Sequence, residues 1–107
     1  MDVAARVAYI QNLEVPMAET VIDNTEEQRF ELKIGGQTAY AYYALAPGVI
    51  TFMHTDVPQV LSGQGVGSRL IKGALEQVRS RGLKVKAECA FTAGYLGKHP
   101  EFGDLIA

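Results

Sequence analysis

Six residues in the middle of the chain, Gly63, Gln64, Gly65, Val66, Gly67 and Ser68, put glycine at every second position directly before a helical pattern. Without Cβ atoms in the way, backbone N–H groups at alternate glycines can converge. The start of a helix adds partial positive charge, so the natural guest is a phosphate or diphosphate. The competing reading is a tight, solvent-exposed turn that needs glycine only for its positive φ angles. Two other phosphate motifs do not fit. A dinucleotide fingerprint needs G-x-G-x-x-G in a βαβ unit with an acid about 20 residues on, whereas here the spacing differs and the preceding strands read as antiparallel. A P-loop needs a Lys directly after its glycines, and none stands there.

Reactive side chains are few. Cys89 is the only thiol; activated by a neighbouring base it would be a nucleophile, and with Val85 and Ala87 on the covered face of a strand it would be a small core residue. His54 stands at a strand end within chain reach of the glycine loop. It reads either as a general base near neutral pH or as a hydrogen-bonded structural histidine. His99, before Pro100, marks a helix stop. Two histidines and one cysteine without C-x-x-C or H-x-x-x-H spacing predict no metal site. Tyr40, Tyr42 and Tyr43 read as strand residues rather than as a base-stacking platform.

The elements that must position these residues follow from periodicity. Short runs over 21–23, 29–34, 38–45 and 49–56 predict an antiparallel meander. Phe30, Leu32 and Ile34 alternate with Arg29, Glu31 and Lys33, giving that strand one wet face, and Gly35-Gly36 supplies a tight hairpin. The run Val49, Ile50, Thr51, Phe52, Met53 is apolar almost throughout, which predicts a central strand covered on both faces. From Val66 the period becomes 3.6, with Leu70, Ile71, Ala74, Leu75 and Val78 on one face and Gly82 as the left-handed cap. Lys84, Lys86 and Glu88 alternate with Val85, Ala87 and Cys89 in a further strand, and a short helix runs over 91–98. The fold class is α/β (α+β): a mixed, mostly antiparallel sheet, a long helix after the central strand and a second short helix, joined by a right-handed crossover. A short helix on Val3, Val7, Ile10 and Leu13 makes residues 1–15 an extension, with the main domain over 16–107.

At 107 residues the chain holds one domain. Its net charge of −2 and dispersed Lys and Arg give no footprint for a nucleic-acid backbone. A lone cysteine, no apolar run of membrane-spanning length and no signal-peptide pattern point to a soluble, cytoplasmic protein with no membrane partner. Oligomeric state is left open.

The glycine loop resembles the [Q/R]-x-x-G-x-[G/A] acyl-CoA loop of the GNAT superfamily, matching at Gly65 and Gly67 and departing at Ser62, where Gln or Arg is usual. A larger set of residues strengthens the likeness. It comprises the segments from Phe52 to Pro58 and from Gly63 to Ser68, Gly82-Leu83-Lys84-Val85, Cys89, Tyr95, and Lys98-His99-Pro100-Glu101-Phe102. Together they resemble the small, single-domain (truncated) N-acetyltransferase-like family. The resemblance implies acetyl-CoA or CoA as cosubstrate, with the diphosphate on the amides of Gly63, Gln64, Gly65, Val66, Gly67 and Ser68. Pantetheine would run along the strand end, meeting backbone groups of Thr55, Asp56 and Val57, with Tyr95 and His99 on the cofactor rim. It also makes Cys89 a catalytic candidate and Tyr95 either a proton donor to the departing thiolate or a packed aromatic. The implied function is N-acetyl transfer to an amine, on a small molecule or a lysine. The alternatives are a CoA-binding or protein-interaction module without turnover, and a scaffold that dimerises through its sheet edge.

Overall fold

The computed structural model describes residues 20–107. The expected helix before Pro16, and the domain boundary near it, lie outside the described residues. Five strands, β1 (Ile22–Asn24), β2 (Arg29–Ile34), β3 (Gln37–Ala46), β4 (Val49–Asp56) and β5 (Lys84–Ala87), form one sheet in chain order. The first four pair antiparallel and β5 joins β4 in parallel. Parallel neighbours need a crossover, and helix α1 (Val66–Ser80) supplies it; α2 (Ala90–Lys98) follows β5. This is the mixed, mostly antiparallel architecture that the residue pattern predicts.

Alternation fixes which face is wet. Phe30 and Leu32 on β2, Ala39, Ala41 and Tyr43 on β3, and Ile50 and Phe52 on β4 are buried against Leu70, Ile71, Ala74, Leu75 and Val78 of α1. Fully burying one such large aliphatic or aromatic side chain stabilises the fold by about 1.5–3 kcal/mol, so this single layer of contacts holds the domain together. Helix α1 ends in a Schellman cap: Gly82 takes φ 71°, its N–H donates to the Arg79 carbonyl (3.1 Å), and the Leu83 N–H reaches the Val78 carbonyl (3.2 Å). Arg79 and Arg81, at the negative end of the helix dipole, pair with Asp104 at 2.7 Å and Asp23 at 2.6 Å.

Two expectations change. β4 is covered on one face only: Ile50 and Phe52 are buried, whereas Met53 is 46% exposed and His54 is exposed. Val49, Thr51 and Met53 alternate with Ile50 and Phe52 onto the outer face, so the run is apolar on both faces but covered on one, and a β-bulge follows. The register passes from Tyr42↔His54 to Tyr43↔Phe52, leaving Met53 without a partner on β3, and that extra residue breaks the inward/outward alternation. The second change is at Cys89, which is not on a strand. β5 stops at Ala87 and Cys89 is the N-cap residue of α2.

Candidate functional site

The glycine loop joins a short 3-10 turn (Gln59–Leu61) to α1. Gly63 and Gly65 adopt φ of 78° and 72°, a region closed to most side chains, and a Cβ on either would point into open space. Ser62 N–H donates to the Gln59 carbonyl, and the next amide with a backbone acceptor is Arg69, bonded to the Gly65 carbonyl at 3.1 Å. Among the described residues, the six amides between them, from Gly63 to Ser68, donate to no protein acceptor. Unpaired amides gathered at the positive end of a 15-residue helix are a donor set of the kind that can bind an anion.

Gly67 has a different reason. A Cβ there would lie 2.7 Å from Cζ of Phe91, whose ring rests on the loop and is 43% exposed. The ring divides two neighbouring cavities of about 240 Å³ each, which share Ser68 and Phe91 as walls. One lies over Gly63, Gly65 and Gly67 and reaches Val57 at the end of β4. The other runs along α2 past Gly94, Tyr95, Lys98 and His99.

Beyond Phe52 the two parallel strands part. The N–H groups of both Glu88 and Cys89 converge on the Phe52 carbonyl, at 2.9 and 3.0 Å, and the β4–β5 register ends at Phe52↔Ala87. Thr55 lies past this fork, and its Oγ1 meets Cys89 Sγ at 3.2 Å, tying the two arms together. Cys89 is 8% exposed. Burial pushes its thiol up, but the Thr55 hydroxyl, the Thr92 N–H and hydroxyl and the Phe91 N–H outweigh that, so its pKa is lowered overall. The fully buried Thr92 hydroxyl acts on the sulfur through proximity, as it makes no hydrogen bond of good geometry. Burial matches the packed reading of Cys89; the lowered pKa matches the reactive one.

His54 stands elsewhere. It stacks on Tyr42 (centroids 6.1 Å apart), which neighbours Tyr40, and the Arg29 guanidinium lies 4.3 Å from the Tyr40 ring. This row lies on the open face of the sheet, whereas Thr55, the next residue, points to Cys89 on the helix face. The structure therefore brings Thr55 and Cys89 together and separates His54 from both. Tyr95 is 7% exposed, stacked on His99 at 3.9 Å and beside Phe102. Burial raises its pKa, with Glu101 and Glu76 adding to the effect, so its hydroxyl stays protonated at neutral pH. It shares a cavity with Ser68 and His99, on the loop side of α2. Phe91, Thr92, Gly94 and Lys98 were not singled out from sequence as site residues; the stripe Ala90, Phe91, Gly94, Tyr95, Lys98 at helical spacing was the available signal. Among the described residues there is no cluster fit to hold a metal, and no helix is long and apolar enough to cross a membrane.

Comparison with known proteins gives a consistent picture. A family model for GCN5-related N-acetyl-transferase matches residues 29–105. Protein NATD1 of Mus musculus is 24% identical over 78 residues, 70% of this chain and 71% of the mouse protein. Protein NATD1 of Homo sapiens is 25% identical over 76 residues, 68% and 67% respectively. The solution structure of a GCN5-like protein from Staphylococcus aureus superposes with a TM-score of 0.66 at 27% identity, covering 85% of this chain and 90% of that one. The matched segment contains the loop, the fork and α2.

Proposed function

The chain belongs to the GCN5-related N-acetyltransferase family, and from that premise we propose that it is an acetyl-CoA-dependent N-acetyltransferase acting on an amine of a small molecule or a lysine. The observation that carries the reading is the set of unpaired amides from Gly63 to Ser68, opening onto a cavity that reaches the end of β4. A diphosphate satisfies several of those donors at once. The direction of the cavity supports pantetheine along Thr55, Asp56 and Val57, with the thioester at the fork. CoA supplies the activated acetyl group; the chain binds it, orients it and keeps it beside the acceptor.

Transfer is direct in this proposal. A thiol 8% exposed, already bonded to Thr55, has no approach for attack on a thioester and no histidine beside it, so Cys89 acts as the tie across the fork. His54, on the opposite face near the fork, takes the proton released as the acceptor amine attacks. Tyr95 keeps its own proton at neutral pH, but it lines the cavity on the other side of Phe91 from the β4 arm, so the leaving thiolate takes its proton from solvent. The test has two stages. Calorimetric titration with acetyl-CoA and CoA should give saturable binding, and thiol release with a panel of amines should then detect turnover. Failure of the first removes the proposal.

A second reading, a CoA-binding module without turnover, is favoured by one observation: His54, the base, stands in the Tyr40–Tyr42 row on the open face of the sheet, away from the fork pair Thr55 and Cys89. Binding without thiol release for any amine or lysine peptide would select it.

A further inference from the structure

The open face of the sheet, past the fork, carries side chains that the glycine loop and the Thr55–Cys89 tie do not use. Beyond the bulge, strand alternation turns His54 and Asp56 to this face and Thr55, between them, to the other. His54 is in register with Tyr42 and Asp56 with Tyr40; on the far side of β3, Tyr42 lies opposite Arg29 and Tyr40 opposite Glu31. Two rungs therefore run side by side across three strands, one of Arg29, Tyr42 and His54, the other of Glu31, Tyr40 and Asp56. Both end on the stretch of β4 from which β5 has parted.

The rings already hold one cation. The Arg29 guanidinium lies 4.3 Å from the centre of the Tyr40 ring and 5.8 Å from that of Tyr42. Glu31, which also accepts from Asn24, neutralises it at 2.8 Å. At the other end of the same rung Asp56 is exposed, and its carboxylate makes no ion pair or hydrogen bond among the described residues. Tyr40 is thus flanked by one carboxylate with a cation on it and by one without. A guest ammonium at Asp56 meets the same pairing of aromatic ring and carboxylate, and it stands beside the fork. Of the other cations on this face, Lys33 lies on β2, two strands from Asp56, and Lys86 stands opposite Thr51, well back along β4.

Spacing sets the length of the guest. Residues two apart on a strand are about 6.5–7 Å from each other, so a nitrogen at His54 and an ammonium at Asp56 are separated by roughly that distance. Four or five methylenes between two nitrogens, with bonds of about 1.5 Å, extend over about 6–7.5 Å. We infer that the acceptor is a short aliphatic diamine: Asp56 and the Tyr40 ring hold the ammonium at one end, and the nitrogen at the other end reacts beside His54. The inference rests on the acetyl-transfer reading above and deepens it by naming the acceptor class. In the step, the neutral nitrogen forms the N–C bond to the acetyl carbonyl and the C–S bond breaks. His54 takes the proton that the nitrogen sheds, and the thiolate leaves with the electron pair of the C–S bond and takes a proton from solvent. The ammonium on Asp56 is unchanged, so the product is a monoacetylated diamine that keeps one charge.

The test follows thiol release from acetyl-CoA by the full chain with 1,4-diaminobutane, 1-aminobutane and Nα-acetyllysine amide, and titrates each amine calorimetrically into the CoA-loaded chain. The wild type should favour the diamine over either monoamine by about tenfold, in kcat/KM and in affinity, and the preference should shrink at high salt. Asp56→Asn should abolish the preference and Tyr40→Leu should reduce it. Glu26→Gln, an equal loss of charge in the β1–β2 turn, should keep it. Equal handling of diamine and monoamines by the wild type, or a preference that survives Asp56→Asn, overturns the subsite, while turnover of any amine still upholds the acetyltransferase reading. Selective binding of the diamine without thiol release upholds the subsite and removes the catalytic reading. No binding and no turnover of any amine overturns the subsite, and the CoA titration then decides separately whether the loop reading stands.

Discussion

Gly67→Ala separates the two reasons a glycine can stand in a phosphate loop. Gly67 lies in the first turn of α1 and needs no positive φ, so alanine there gains up to about 1 kcal/mol of helix propensity. The added methyl would lie 2.7 Å from Cζ and 3.1 Å from Cε2 of Phe91, well inside the 3.4 Å at which ordinary contact begins. Overpacking of this kind costs about 1–3 kcal/mol. The intruded atoms are the tip of a ring that is 43% exposed, so the ring swings aside and the cost falls near the lower end. The single variant should therefore change stability by less than about 1 kcal/mol, while the displaced ring enters one of the two cavities it now divides. CoA affinity should drop about tenfold, equivalent to ~1.4 kcal/mol. In a double-mutant cycle with Phe91→Ala, urea unfolding and CoA titration of all four proteins should show a coupling of about 1 kcal/mol or more, with Phe91→Ala restoring binding to Gly67→Ala. Additivity within about 0.5 kcal/mol in both measurements would mean that ring and loop are not in contact, and would refute the reasoning.

Three further outcomes are expected. Gly73→Ala, although a better helix former, should destabilise by about 1–3 kcal/mol, because its Cβ would lie 2.8 Å from the Cβ of Val21, an atom fixed to the backbone; thermal unfolding checks this. Burial, and then the Asp23 carboxylate that accepts its hydroxyl, push Tyr43 from an ordinary value near 10 up to about 12. A raised value means that the folded state holds the proton more tightly. The stabilisation is thus complete below about pH 10 and is lost as the pH rises towards 12; Tyr43→Phe should flatten the unfolding profile over that interval. Cys89→Ala should lower stability by about 1–2 kcal/mol by leaving Thr55 without its partner, yet keep most of the turnover in a thiol-release assay; complete loss, together with an acetylated Cys89 trapped in the wild type, would establish a covalent route instead.

Much of the fold was legible because its signals are local. The alternation through Phe30, Leu32 and Ile34, the two-residue Gly35-Gly36 turn with Gly35 at φ 61°, the 3.6-residue stripe of α1 and the Gly82 cap each depend on residues close in sequence. The run Val49 to Met53 was misread as covered on both faces because its outward residues are apolar too, and the bulge at Met53 depends on the register with a neighbouring strand, which leaves no local mark. Cys89 was read as a strand residue because Lys84 to Cys89 alternates without a break; its place as a helix cap is set by the convergence of two amides on the Phe52 carbonyl, which no local pattern encodes. The loop was legible from three glycines, but not what Gly67 touches. Phe91 is 24 residues downstream and meets it only through the packing of α2 against α1. Plain alternation from the inward Phe52 would turn His54 inward and Thr55 outward; the bulge at Met53 reverses both, so their facing was not available from sequence.

Among the described residues the sheet has two outer strands, and each is shielded against pairing with another chain by a different means. β1 is only three residues long, too short to template a neighbour. β5 carries Lys84 and Lys86, with Glu88 just beyond it, and part of its outer rim is occupied by the Ala107 N–H on the Val85 carbonyl at 2.9 Å and by the Val85↔Ile106 bridge. Charge and a borrowed strand fragment are recognised ways of blunting a sheet margin. They let the strands diverge at the fork without leaving the nearby margin a nucleus for aggregation.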